Sequence, residues 1–187
     1  CCLNRTSTTA TKKMSRPPNI LITGTPGTGK TCTAEQVAAV TGFKHIEVGK
    51  LVKEKDLHSG WDEEFQCFTL DEDKVCDELE PIMAEGGVVL DMHTCGFFPE
   101  RWFDLVVVLR ASNSVLFPRM EKRGYNPKKI NENIECEIFQ VVLDEARESY
   151  KEEIIVELQS NCIEELQANV ARIQEWVHAR GGASVTQ

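Results

Sequence analysis

The residues that invite chemistry first are Gly24 to Thr31, "GTPGTGKT", in which Gly24, Gly29, Lys30 and Thr31 satisfy the spacing GxxxxGK[ST]. Each residue type has a task at a phosphate. Glycines let the backbone curl until its N–H groups point inward at phosphate oxygens. A helix that begins at the lysine adds the positive end of its dipole. Lys30 brings a point charge to the outer phosphates, and the Thr31 hydroxyl can hold Mg²⁺. Such a loop does not name a reaction, because GTPases, motor ATPases and small-molecule kinases share it.

Other residues narrow the choice. The chain has no "NKxD"-type guanine motif after a later strand. Asp91, at the end of "VVLD", stands where an acid can hold a Mg²⁺-bound water. His93 follows two residues later, beside the expected γ-phosphate. A neutral imidazole there can orient a water or assist proton movement, or it can be structural. "RMEKRGYN" offers Arg119 and Arg123, four apart on a helical face, as a clamp for the transferring phosphoryl group or as a solvated helix end. Phe97, Phe98, Trp102 and Phe103 are predicted to pack between the sheet and a helix.

The elements that must position these residues alternate along the chain. "NILIT" (19–23), "HIEV" (45–48), "VVLDM" (88–92), "LVVVL" (105–109) and "IIVEL" (154–158) read as strands. Two of them, 88–92 and 105–109, are continuous apolar runs, as a parallel sheet covered on both faces requires. Helices are expected from Lys30 to about Val40, ended by Gly42, and from Asp71 to about Glu85, with Pro81 kinking or breaking the second. A further helix is expected over 112–123, with Pro118 awkward inside it, and then a polar turn-rich insert, "GYNPKKINEN". One long helix should carry Ile134, Ile138, Val141, Val142 and Tyr150 near one face. The last helix shows Ile163, Leu166, Val170, Ile173 and Val177 at three-four spacing, a stripe that faces the core. The expected fold is α/β: a doubly wound, five-stranded parallel sheet with helices on both faces, and ligands at the strands' C-terminal ends.

The chain has 187 residues, enough for a single α/β domain, placed at 17–180. A net charge of −9 argues against a broad grip on nucleic acid, which needs many Lys and Arg contacts. No stretch is long and apolar enough to cross a bilayer, and no signal sequence is read. The 8 cysteines are scattered without paired CxxC spacing, so they read as reduced thiols rather than a zinc site or disulfide framework. Residues 1–16 read as a disordered tail or an extension foreign to the domain, with Met14 a candidate initiator, and 181–187 as a second tail.

Several separated blocks, "PNILITGTPGTGKT", "GGVVLDMHTCGFFPERWF", "RGYN" and "NIECEIFQVVLDEARESYKEE", resemble the adenylate kinase isoenzyme 6 family over nearly all of Pro18 to Trp176. The resemblance implies the P-loop nucleoside monophosphate kinase fold with a short lid. It implies Mg²⁺-dependent phosphoryl transfer from ATP to AMP, with CMP and dAMP as further acceptors, and an accompanying ATPase activity. It also implies a nuclear and partly cytoplasmic location, and maturation of the small ribosomal subunit through one of its proteins. Carried over by position, the ATP phosphates would meet Gly27, Gly29, Lys30, Thr31 and Cys32, with Arg123 touching ATP. The nucleoside monophosphate arm would span 47–70 and the lid 122–132. Asp91 and His93 match the family's acid and histidine. Cys32, Thr94, Gly96 and Pro118 depart from the family's usual pattern. Hydrolysis of ATP to drive assembly, with AMP phosphorylation incidental, is the alternative function.

Overall fold

The computed structural model describes residues 16–62 and 67–180. Five strands, β1 (Ile20–Gly24), β2 (Lys44–Glu47), β5 (Val88–Asp91), β6 (Leu105–Arg110) and β7 (Ile155–Gln159), form one parallel sheet in the order β2-β5-β1-β6-β7. The central strand β1 lies between β5 and β6, so its C-terminal end opens where the winding direction reverses. That is the place where open α/β sheets bind ligands.

Both faces of the sheet are covered, and the period of two along each strand sends alternate residues to different cores. Ile20, Ile22, Val107 and Leu109 pack with α1 (Lys30–Thr41) and α7 (Ile163–Ala179), through Ala34, Val37, Leu166, Val170, Ile173 and Val177. Leu21, Leu90, Val106 and Val108 face the other way, toward Val75, Leu79 and Met83 of α3 (Glu72–Glu85) and Leu143 and Ala146 of α6 (Val141–Ser149). Phe98, Trp102 and Phe103 belong to this second core as expected, with Phe103 edge-on to Tyr150 at 5.9 Å. Ile163 alone of the predicted α7 stripe is exposed.

Several local expectations change. The arm between β2 and α3 holds α2 (Val48–Glu54) and an antiparallel hairpin of β3 (His58–Asp62) and β4 (Cys67–Leu70). Val48, read as strand, is the first residue of α2. Pro81 does not break α3, and Pro118 does not interrupt α4 (Asn113–Lys122). Both prolines are exposed, so the carbonyl freed one turn earlier meets water. The polar stretch after Gly124 is helix, not turn: Asn126 caps α5 (Pro127–Ile138), accepting from the Lys129 N–H at 2.8 Å, with Pro127 at the first helical position. The single long helix expected there is two. It breaks at Phe139 and Gln140, where Gln140 takes φ 59°, and α6 turns under the opposite face of the sheet. Ile138 and Val141 are consequently exposed rather than part of a buried stripe. Of the tails read at 1–16 and 181–187, residues 1–15 and 181–187 lie outside the described residues; Arg16 is described and pairs with Asp104 at 3.1 Å.

Candidate active site

The phosphate-loop pattern sits between β1 and α1, at the C-terminal edge of the sheet. Gly24 has φ 146°, and a Cβ on it would lie 2.4 Å from the Leu109 carbonyl oxygen, so only glycine lets the loop leave β1 this close to β6. Gly29 caps α1 with φ 91°, a left-handed conformation that turns the chain into the helix. Within the loop, the Thr25 carbonyl accepts from the Thr28 N–H at 3.2 Å, the Thr28 hydroxyl at 2.9 Å and the Lys30 ammonium at 3.3 Å. Lys30 and Thr31 are half-buried in the first turn of α1, and Cys32 is exposed beside them.

Desolvation is the main reason Lys30 is pushed down from 10.5 to about 8; Asp91 opposes the shift, Arg123 adds to it and Glu137 opposes it. Lys30 therefore lies within electrostatic reach of the acid at the end of β5 and of the arginine at the end of α4. Asp91 is only 3% exposed, and its Oδ2 has no hydrogen-bond partner. The nearest cationic candidate, His45 Nε2, is 3.9 Å away and likewise unpartnered. A buried carboxylate oxygen without a donor is costly unless a ligand completes it. The orphaned Asp91 oxygen, like the Thr31 hydroxyl in the first turn of α1, is a donor of the kind a hard divalent cation and its waters take.

His93 follows Asp91 beyond the end of β5. Crowding by the surrounding protein, then the Lys30 and Lys129 ammonium groups, lower its pKa. The residue as a whole is exposed, so water screens part of this push, and the imidazole is neutral at pH 7 on either account. The turn that carries it is held from α6. The Glu145 carboxylate accepts from the Cys95 and Gly96 N–H groups at 3.0 and 2.8 Å, and the Tyr150 hydroxyl donates to the Cys95 carbonyl at 2.5 Å. A Cβ at Gly96 would meet Glu145 Oε1 at 3.0 Å, so an aspartate there would face a carboxylate.

The two arginines do not share a role. Arg119 Nη1 donates to the carbonyls of Gly27 and Ser160 at 3.0 and 3.1 Å, and Nη2 to that of Asn161 at 2.8 Å. These bonds brace the loop against the segment after β7. Arg123 caps α4 and is exposed; its charge reaches Lys30.

Sequence reasoning missed Thr25, Arg110 and Glu137. Glu137 is buried, and accepts from the Thr25 hydroxyl and from Arg110 Nε, each at 2.5 Å. One signal was available: Ile130, Ile134 and Glu137 are spaced four and three apart, so the glutamate occupies a position on the helix stripe that faces the core.

The loop, the acid at the end of the neighbouring strand and the five-stranded parallel sheet define a P-loop kinase fold. Solved structures agree. Shikimate kinase from Acinetobacter baumannii in complex with shikimate superposes with a TM-score of 0.61 at 15% identity, covering 87% of this chain and 94% of that one. Shikimate kinase from Bacteroides thetaiotaomicron gives 0.59 at 16% identity, covering 86% and 98%. A family model described as "AAA domain" matches residues 20–140. An adenylate kinase isoenzyme 6 homolog of Dictyostelium discoideum is 58% identical over 160 residues, 86% of this chain and 91% of the relative. The homolog FAP7 of Saccharomyces cerevisiae is 44% identical, covering 85% and 81%. The chain belongs to the adenylate kinase isoenzyme 6 family of P-loop nucleotide kinases.

Proposed function

We propose that this protein transfers the γ-phosphoryl group of Mg·ATP to AMP, giving two ADP, with CMP and dAMP as further acceptors. The observation that carries the reading is the unpartnered, buried Oδ2 of Asp91 beside the phosphate loop, with Lys30 in electrostatic reach. Thr31 and Asp91 would hold Mg²⁺, Asp91 through water. The ion would supply charge that offsets the outer phosphate oxygens. Backbone N–H groups of Gly27, Gly29, Lys30, Thr31 and Cys32 cradle the phosphates; Lys30 and Arg123 stabilise charge on the transferring group. No covalent intermediate is needed, because positioning and electrostatics do the work. The arm at 47–70 receives the acceptor, and the lid at 122–132, where α4 gives way to α5, carries Arg123 over the donor.

A second reading rests on His93. An imidazole whose pKa is lowered by the surrounding protein, and further by two ammonium groups, can orient water toward the γ-phosphate, which makes the site an ATPase. We read this as an accompanying activity that serves assembly of the small ribosomal subunit in the nucleus. The net charge of −9 suits a basic ribosomal protein as the partner.

ADP formation from Mg·ATP by the purified protein, with and without AMP, separates the two. AMP-dependent production of two ADP per ATP consumed supports the kinase. Slow production indifferent to AMP, lost in His93→Ala and raised by a basic ribosomal protein, supports the ATPase and removes the kinase.

A further inference from the structure

We infer that Glu137 is a positioning residue for nucleotide binding: from the last turn of α5 it fixes Thr25, and so holds the phosphate loop in its receiving shape before a nucleotide arrives. The inference rests on the reading of Gly24–Thr31 as a phosphate loop. Glu137 is 4% exposed, yet every oxygen of its carboxylate is used. Oε2 accepts from the Thr25 hydroxyl at 2.5 Å, and Oε1 from Arg110 Nε at 2.5 Å and the Ala111 N–H at 3.3 Å. Arg110 returns a bond from Nη2 to the Glu137 carbonyl at 3.0 Å and reaches Glu157 from Nη1 at 3.2 Å. Thr25 therefore faces two ways. Its side chain is held by Glu137, while its carbonyl holds Thr28 and the Lys30 ammonium.

A buried ion pair is a poor means of gaining stability, since apolar residues of similar volume serve as well or better. What a carboxylate adds is direction: charge-assisted bonds of fixed geometry to two groups at once. The anchor also sits at the far end of the helix that leaves the lid, since α5 starts at Pro127, three residues after Gly124. Without it the loop samples other shapes. Apparent affinity then falls by the fraction of molecules in the competent shape. Once a nucleotide fills the loop, Lys30 and Arg123 face it as before, so the loss appears in KM rather than kcat.

The test compares the wild-type protein, Glu137→Gln, Thr25→Val and the double variant. Mg·ATP affinity is read by calorimetry, KM and kcat by ADP formation, and folding by thermal melts. Each single variant is expected to weaken Mg·ATP binding roughly tenfold, the factor that corresponds to about 1.4 kcal/mol. KM rises with kcat nearly constant, and the double variant is no weaker than the worse single one, because both remove the same tether. Effects that multiply in the double variant overturn the inference, as does a folded Thr25→Val protein with wild-type affinity. If Glu137→Gln does not fold, Thr25→Val decides alone by the same criterion. A wild-type protein that binds no Mg·ATP removes the phosphate-loop reading itself; wild-type binding with unaltered variants removes only the role of Glu137.

Discussion

Lys30 is half-buried with its ammonium on the Thr25 carbonyl, and desolvation brings its pKa from 10.5 down to about 8. A base whose folded pKa is depressed opposes folding while it is charged. That penalty is fully present below about 8 and is relieved as pH rises toward 10.5. Lys30→Met is therefore expected to raise the Tm of the nucleotide-free protein at pH 7. The same variant should reduce ADP formation by about a hundredfold or more, since it removes a charge aimed at the transferring group. A lowered Tm at pH 7 would mean that the contact with Thr25 outweighs desolvation. A second expectation follows for the wild-type protein. The free ammonium is lost as pH passes about 8, so Mg·ATP affinity falls above that pH, and binding there takes up protons. Calorimetry in two buffers of different ionisation enthalpy reads the uptake directly, and equal heats in both would contradict it.

At the scale of elements, α4 and α5 are joined by a short turn, and a cap sets where α5 starts. Asn126 accepts from the Lys129 N–H at 2.8 Å and starts α5. Asn126→Ala is expected to cost about 1 kcal/mol of stability, read by urea denaturation, with Asn126→Asp restoring most of it. A neutral result for Asn126→Ala would mean that α5 is set by its packing alone, through Ile130 against Leu116 and Met120. The Asn-Pro pair was a legible start signal inside a stretch that otherwise reads as polar turn. The break between α5 and α6 was not legible: no glycine or proline marks Gln140 at φ 59°. The surrounding structure imposes it, because α5 must end with Glu137 on Arg110 while α6 must place Leu143 and Ala146 under the other face of the sheet. The hairpin of β3 and β4 escaped for a related reason. "HSGWD" has no alternating apolar pattern, since this pair lies outside the five-stranded sheet.

The candidate site lies at the reversal point of the sheet, so Mg·ATP binding there is expected to stabilise the entire cooperative unit. Mg·ATP at a hundred times its Kd adds about 2.7 kcal/mol by mass action. For a domain of this size that raises Tm on the order of 5–10 °C. EDTA should remove most of this shift if Thr31 and Asp91 act through Mg²⁺. A shift unaltered by EDTA would take the ion out of the reading, and no shift at all would take out the nucleotide.

Five strands, the phosphate loop and the acid at Asp91 could be read directly from the chain. Buried parallel strands show as continuous apolar runs, and the loop's chemistry is confined to eight consecutive residues, 24–31. Order across the sheet is another matter. Thr25 meets Glu137 across 112 positions, and Arg119 meets the Gly27 carbonyl across 92. His45 approaches Asp91 because β2 happens to pair with β5 rather than with β1. None of these contacts leaves a local pattern, because each depends on which strands and helices the packed core brings together. Periodicity and short-range spacing are properties of neighbouring residues, and the chain alone determined those. The partners that hold Thr25 and Arg119 in place belong to distant segments, and only the tertiary structure decided them.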